Sequence, residues 1–273
     1  MSSFSEHLSQ FSQLFVLTGA GISLSSGIPT YRDDKGKWTG SQPIQHADFI
    51  REPTVRQRYW ARSLVGWRNF GKAQPNAAHA ALAEIERLGR VALVVTQNVD
   101  RLHQRAGSQA VVDLHGRLDQ VICLSCGELS ERSALQRRLE ADNHGFDVQA
   151  SQLRPDGDAD VPDALIAQMR VPACLSCGGV LKPHVVFFGD NVPKQRVHAC
   201  QQALRQADAM LVIGSSLQVY SGYRFCRQAA QQGTPLLCIN PGQTRADELI
   251  DLKTGQSAEH VLAEWVQKLV SVG

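Results

Sequence analysis

Short, unbroken apolar runs constrain the fold of this 273-residue chain more than any other feature. Residues 14–17, 91–95, 210–213 and 236–239 are apolar throughout, and 111–114 carries a single Asp. A run without polar alternation is a strand buried on both faces, the pattern of a parallel sheet covered by helices. Residues 185–188 read as one more such run. Helices are expected between the strands, at 195–206, 223–232 and 258–270. Another is expected at 77–88, where Pro75-Asn76 starts it and Gly89 stops it. Phe4, Leu8 and Phe11 have the spacing of a short amphipathic helix, and 49–70 reads as one long helix rich in Arg, Trp and Tyr. The polar segment 33–42 reads as a mobile loop. The fold expected is a doubly wound α/β domain interrupted by a smaller module.

A polar or glycine-rich cluster stands at the end of each run. Residues 14–17 lead into Gly19-Ala20-Gly21 and then Ile22-Ser-Leu-Ser-Ser26, a stretch of helix-like composition. Strand, glycine turn and helix start make a phosphate cradle, because glycines let the backbone approach an anion and free N–H groups face it. Gly27 stands too late for G-x-G-x-x-G, and no Lys follows as in a P-loop. A tight strand–helix turn alone would account for the Gly-x-Gly. The other strand ends weigh against that reading. They carry Gln97-Asn98-Val-Asp100, His115-Gly116, Gly214-Ser215-Ser216 and Asn240-Pro241-Gly242. Open parallel sheets bind ligands beyond the carboxyl ends of their strands, at the switch in strand order. Five clusters on that edge make a site, and a nucleotide with a diphosphate is the ligand expected.

Between 117 and 182 the chain changes character. Cys123-Leu-Ser-Cys126 and Cys174-Leu-Ser-Cys177 are each followed by glycine. Two such knuckles supply the four thiolates of a tetrahedral Zn²⁺ site, whereas a thioredoxin-like redox centre needs one pair. With four Cys ligands no coordination position is open, so the zinc expected is structural and activates no water. The stretch between the pairs is longer than a zinc ribbon requires and holds an evident loop at 154–162. Cys200, Cys226 and Cys238 read as small buried residues.

Cysteines used in this way fit a reducing cytoplasm rather than a disulfide scaffold. A composition of 43% hydrophobic and 20% charged residues is that of a soluble globular enzyme. A net charge of +2 gives no electrostatic basis for nucleic-acid binding, and the basic residues within 51–68 read as a solvated helix face. Residues 1–13 show no targeting pattern, and no apolar run approaches the roughly 18 residues of a bilayer span. Neither nucleic acid nor membrane is therefore an expected partner.

In their order along the chain, the Gly19–Arg32 stretch, Thr96-Gln-Asn-Val-Asp100, Leu114-His-Gly116, the cysteine pairs, Lys182-Pro-His-Val-Val-Phe-Phe-Gly189, Gly214-Ser-Ser216 and Asn240-Pro-Gly242 resemble the sirtuin family over nearly the whole length. Pro43-Ile-Gln-His46, the 56–62 stretch and the 214–224 stretch are similar to its class II branch, which includes a mitochondrial sirtuin and bacterial relatives. The resemblance implies a Rossmann-like NAD-binding domain at 1–40, 90–116 and 184–273. It also implies a helical cofactor-lid segment at 41–89 and a zinc-binding module at 117–183. The activity implied is NAD-dependent removal of acyl groups from protein lysines. Nicotinamide is expelled, the acyl oxygen attacks the ribose anomeric carbon, and O-acyl-ADP-ribose is released.

By the same resemblance the catalytic set is His115, Asn98 and Asp100. His115 would be general base on a ribose hydroxyl, a role imidazole fills near neutral pH. Asn98 and Asp100 would hold the nicotinamide end and its ribose, with Gln97 in support. Gly19, Ala20, Gly21 and Ile22 would cradle the diphosphate beside Arg32, and Tyr31 would shield the reacting centre. Gly214, Ser215, Ser216, Asn240, Pro241, Gly242 and Ala258 would surround the adenosine half. Val186, Phe187, Phe188 and Gly189 would line the acyl-lysine, whose peptide adds as a strand.

Three departures from the family pattern stand out. The long insert places a loop, 154–161, near the acyl channel. Ser257 stands where many members have Cys, and His184 where an Asp is common. Tyr59 and Arg62 share a helical face and resemble the Tyr-x-x-Arg pair with which one branch binds carboxylate-ended acyl groups. A lid or surface arginine explains Arg62 equally well. The expectation is that dicarboxylyl or longer chains are processed as well as acetyl. Mono-ADP-ribosyl transfer needs the same nicotinamide expulsion and stays open. A dehydrogenase is disfavoured by the misplaced third glycine and by the want of an acid near position 40. A non-catalytic NAD-binding role is disfavoured by His115, Asn98 and Asp100.

Overall fold

The computed structural model describes residues 3–33, 37–38, 43–146 and 154–271, so most of the expected 33–42 loop lies outside the described residues. The helices are α1 (Phe4–Leu8), α2 (His46–Arg51), α3 (Pro53–Phe70), α4 (Ala77–Arg87), α5 (Leu102–Ala106), α6 (Arg132–Asp142), α7 (Asp163–Ile166), α8 (Lys194–Gln206), α9 (Tyr220–Gln232) and α10 (Ala258–Ser271). The strands are β1 (Leu14–Thr18), β2 (Val91–Thr96), β3 (Val111–Asp113), β4 (Gly116–Cys123), β5 (Leu129–Glu131), β6 (Leu181–Val185), β7 (Ala209–Ile213), β8 (Leu236–Ile239) and β9 (Leu252–Thr254). They form two compact units. The first comprises Met1–Thr39, Gln74–Leu114 and Val192–Gly273, the second Gly40–Ala73 and His115–Asn191.

The first unit is a six-stranded parallel sheet in the order β3-β2-β1-β7-β8-β9. Its apolar runs are continuous because each strand feeds two cores. Leu14, Val16, Leu211, Ile213, Leu237 and Ile239 join one layer with α4 and α10. Phe15, Leu17, Met210, Val212, Leu236 and Cys238 join the other with α8 and α9. Period-two side-chain alternation thus serves both faces. The sequence groups 77–88 with the helical segment 41–89, but Ala78, Leu82 and Ile85 of α4 pack into the sheet's core. Asn76 caps α4, its Oδ1 accepting from the N–H groups of Ala78 (3.0 Å) and His79 (3.3 Å).

Two rings lie buried together in this unit, His79 on α4 and His103 on α5, with centroids 4.9 Å apart. Burial pushes His79 down to about 4, and burial together with His79 pushes His103 down to about 3. In the unfolded chain both titrate near 6.5. As pH falls below about 6.5, the unfolded chain takes up protons that the folded one refuses, so stability falls with acidification. The expected loss at about pH 5 is on the order of 2 kcal/mol per histidine. Urea midpoints at about pH 7 and pH 5 measure it, and His79→Gln should roughly halve the difference.

The second unit pairs an antiparallel sheet, β5-β4-β6, with α2, α3, α6 and α7. Trp60, Leu64, Val121, Leu135, Leu139, Phe146 and Met169 form its core. The single helix expected at 49–70 is two, because Pro53 cannot donate into a preceding turn and holds Glu52 extended (φ −104°, ψ 113°). The run at 185–188, expected as a strand of the main sheet, is not one. β6 ends at Val185 and pairs antiparallel with β4. Beyond it the Val186 N–H donates to the His115 carbonyl (2.8 Å), and Phe188 bridges to Gln45. Arg132 is fully buried, its guanidinium facing Trp60 and Trp67 and donating to the Ser63 carbonyl (3.1 Å) and hydroxyl (3.2 Å). At Gly66 a side chain would stand 2.2 Å from the Gly157 carbonyl, so α3 receives the backbone of the 154–159 loop directly.

Candidate functional site

In the first unit the strand order reverses between β1 and β7, and their exits interlock. The Gly19 N–H donates to the Ile213 carbonyl (3.0 Å) and the Gly21 N–H to the Gly214 carbonyl (2.8 Å), so these two are not the free N–H groups expected of the cradle. A Cβ on Gly21 would lie 2.7 Å from Gly214 Cα, and one on Gly214, where φ is +60°, would lie 2.5 Å from the Ile22 nitrogen. Only glycines allow two loop backbones to meet this closely at the switch point. The helix expected after the turn is a 3₁₀ helix, Ala20–Ser26, ended by Gly27 in the left-handed conformation (φ 82°). That capping role accounts for a glycine misplaced for a dinucleotide fingerprint. Ala20 is half-buried, while Ile22 is buried and its carbonyl accepts from Asn76 Nδ2 (2.7 Å).

At the exit of β2, Asn98 donates both amide hydrogens inward, to the Gly19 carbonyl and to Ser23 Oγ, each at 3.1 Å. Because the Gly19 oxygen can only accept, the amide orientation is settled, and neither of these bonds uses Asn98 Oδ1. The Ser23 hydroxyl donates to Asp100 Oδ2 (2.7 Å), and the Leu102 N–H donates to Oδ1 (3.0 Å). Burial raises the Asp100 carboxyl above the usual carboxylate range, and these two donors pull it back. Gln97 Oε1 accepts from the Ser215 hydroxyl (2.6 Å), and the amide lies against Gly222 of α9. Ser23 was missed as a functional residue although it stands inside the glycine motif; its signal is a buried hydroxyl four residues after Gly19.

The remaining positions that the sequence assigns to the cofactor follow β7 and β8 and open α10. The Ser216 carbonyl accepts from the Arg245 N–H (2.9 Å). Asn240 Nδ2 donates to the Gly242 carbonyl (2.9 Å), which also accepts from Lys253 Nζ (2.8 Å). Pro241 between them is exposed, and Ala258 opens α10. Downstream of the glycine turn, the Arg32 guanidinium lies 4.1 Å from the Trp38 ring centroid, and Tyr31 meets that ring edge-on at 6.1 Å. Trp38 is the only aromatic among residues 33–42.

The second unit contains His115, half-buried just before β4. It also holds an aromatic cluster in which Phe187 stands 5.1 Å from Phe49 and 5.5 Å from Tyr59 between ring centroids. Lys182 Nζ lies 4.6 Å from the Phe187 centroid, and burial lowers that amine to about 8. The Phe188 carbonyl accepts the His46 N–H (2.8 Å), and Gly189 is exposed with φ 79°. His184 Nδ1 stands 3.1 Å from Gln120 Oε1. Arg62 Nε donates to the Ala159 carbonyl (3.3 Å) and lies 3.6 Å from Asp158 Oδ2, while Arg62 Nη2 is 3.8 Å from Asp160 Oδ1. Arg62 is therefore met by carboxylates of the insert.

In the same unit the Sγ atoms of Cys123, Cys126, Cys174 and Cys177 all lie within 4.8 Å of one another. Thiolates bound tetrahedrally to zinc stand about 3.8 Å apart. The two knuckles are alike, with the Gly127 N–H donating to the Cys123 carbonyl and the Gly178 N–H to the Cys174 carbonyl, both at 2.9 Å. The donor set fits a structural Zn²⁺ and none of the seven cysteines is in a disulfide.

A doubly wound nucleotide-binding sheet whose chain also builds a four-thiolate metal module is a narrow class of protein. The Sir2 family profile matches residues 19–221, and the chain belongs to that family, the sirtuins. It is 55% identical over 259 residues (94% of this chain, 88% of the relative) to an NAD-dependent protein deacetylase of Xanthomonas campestris pv. campestris strain 8004. It is 52% identical over 261 residues (96% of each chain) to NAD-dependent protein deacetylase 2 of Bradyrhizobium diazoefficiens. Among solved structures, a Sir2 enzyme with a p53 peptide and NAD⁺ superposes with a TM-score of 0.76 at 29% identity, covering 99% of this chain and 98% of that one. No helix among the described residues is long and apolar enough to cross a membrane.

Proposed function

We propose that this chain is an NAD-dependent protein-lysine deacetylase, and that its substrates are acetylated protein lysines. The observation that carries the reading is the exit of β2, where Asn98 and Asp100 are fixed by Ser23 and the Gly19 carbonyl beside the glycine crevice. When bound, NAD supplies the nicotinamide–ribose bond that is cleaved and the ADP-ribose that accepts the acetyl group. Asn98 presents Oδ1 to the nicotinamide-ribose end, Asp100 supports it, and Gln97 holds the ribose from its Ser215 anchor. Gly19–Gly21 and Gly214 line the diphosphate, with Arg32 near it and Tyr31 shielding the reacting end. Ser216, the 240–242 turn and Ala258 border the adenosine. His115 takes the proton from a ribose hydroxyl. Val186, Phe187, Phe188 and Gly189 line the acyl-lysine, and the four cysteines hold a zinc that maintains the module. The 56–62 and 214–224 stretches support placement in the class II branch.

Incubating the protein with NAD and an acyl-lysine peptide panel, with products followed by mass, tests the reading. Free nicotinamide together with O-acetyl-ADP-ribose supports it. ADP-ribose attached to protein would replace it with transferase activity, and reduced cofactor would replace it with a dehydrogenase.

Acyl preference follows from Arg62. A carboxylate-ended chain seeking this guanidinium has to compete with Asp158, which is only 2% exposed, and with Asp160. We therefore infer that acetyl is preferred over dicarboxylyl groups. Replacing both acids (Asp158→Asn with Asp160→Asn) is expected to raise kcat/KM for succinyl-lysine relative to acetyl-lysine by about tenfold, since a charge-assisted Arg–carboxylate bond becomes available. An unchanged ratio would remove Arg62 from acyl selection.

A further inference from the structure

Thr18 and Thr96 are the last residues of β1 and β2, face each other in register, and are both buried. Valine would fill either position equally well in a parallel sheet, so two hydroxyls here need partners that valine would not. The Thr18 hydroxyl donates to Thr96 Oγ1 (2.9 Å), and Thr96 Oγ1 also accepts the Asn98 backbone N–H (3.1 Å). Thr18 Oγ1 stands 2.9 Å from Nε2 of His103. A hydroxyl has one hydrogen, and Thr18 has given its own to Thr96, so the ring nitrogen is the donor. His103 is thus the neutral Nε2–H tautomer. Its Nδ1 is buried with no hydrogen-bond partner, which a bare acceptor nitrogen tolerates better than an N–H would.

We propose that Thr18 and His103 are positioning residues for nicotinamide cleavage: the buried relay from the His103 ring through the Thr18 and Thr96 hydroxyls sets the Asn98 backbone and so aims the Asn98 side chain. The proposal rests on the function proposed above. Each link runs one way. The His103 N–H donates to Thr18, the Thr18 O–H donates to Thr96, and Thr96 receives the amide of Asn98, the residue proposed to present Oδ1 to the ligand. A second anchor holds the glycine loop that Asn98 bonds to. His79 Nδ1 lies 2.9 Å from Asn76 Oδ1, and Asn76 Nδ2 donates to the Ile22 carbonyl. The packed His79 and His103 rings thereby stand behind both the loop and the asparagine.

Thr18→Val keeps the shape and deletes both hydrogen bonds of the hydroxyl, whereas Thr18→Ser keeps them. Small displacements of a reacting group cost up to about a hundredfold in rate. Thr18→Val is expected to lower kcat for nicotinamide release about tenfold or more, with NAD Kd within about threefold, and Thr18→Ser to recover most of the loss. Independently of turnover, ¹⁵N-edited histidine spectra should show His103 as the Nε2–H tautomer, and Thr18→Val should shift the Asn98 backbone amide resonance. A kcat for Thr18→Val equal to that of the unmodified protein, an Nδ1–H tautomer, or an unmoved Asn98 resonance each overturns the relay. If the unmodified protein releases no nicotinamide, the proposed function falls, and the two spectroscopic results still decide whether the relay exists.

Discussion

His115→Ala is expected to lower deacetylation turnover by about a thousandfold, while NAD binding, followed by ligand-induced thermal shift, changes little. A positioned general base contributes on the order of 10² to 10⁴ in rate, and imidazole is the side chain that can accept and return a proton near neutral pH. The local backbone suits such a role. The His115 carbonyl holds the Val186 N–H at 2.8 Å, and a side chain on Gly116 (φ +85°) would stand 2.2 Å from the His184 carbonyl. The histidine therefore sits on a segment with almost no backbone freedom, packed where β4 meets β6. The cofactor positions proposed in the first unit do not include it, which is why binding should outlast turnover. Turnover within about threefold of the unmodified protein would take His115 out of the reaction.

What was legible in the sequence had a local cause. Runs at 14–17, 210–213 and 236–239 could be read as strands because both faces of each are apolar, and the cysteine pairs because a metal demands fixed spacing within each turn. The polar clusters could be placed on one edge because the strands that precede them are parallel. The strand Gly116–Cys123 was not legible, since the alternation of Arg117, Leu118 and Asp119 breaks at Gln120 and its ladder with β6 is irregular. The 185–188 run looked like a core strand from composition, but its partners are β4 and Gln45 rather than the parallel sheet. The break at Pro53 has a local cause, the proline itself. Long-range partnerships such as Ser23 with Asp100 or Arg62 with Asp158 leave no local trace, because neither member changes periodicity or turn chemistry. The acyl preference proposed above rests on one of these, so the fold could be read from sequence and any selectivity could not.

The same distinction between local signal and distant consequence makes the metal the other large lever. Cys123 and Cys174 belong to the second unit's apolar core, alongside Trp60 and Leu181, while Leu129 and Leu175 remain exposed. A module this small buries too little apolar surface to hold four convergent sulfurs together by packing alone. As the metal is withdrawn, the thiolates either repel one another or take up protons, and the tie between the end of β4 and the turn before β6 is lost. Structural zinc in small modules contributes apparent free energies on the order of 10 kcal/mol at neutral pH. The protein is therefore expected to contain one zinc per chain. Chelation, or Cys177→Ser, is expected to lower the Tm by more than about 10 °C. Near-ultraviolet circular dichroism should also weaken, because Trp60 and Trp67, which flank Arg132, lie in this unit. NAD affinity should fall less than deacetylation, since the glycine crevice belongs to the first unit. A zinc-free protein with unchanged Tm and tryptophan dichroism would show that the four thiols pack without a metal.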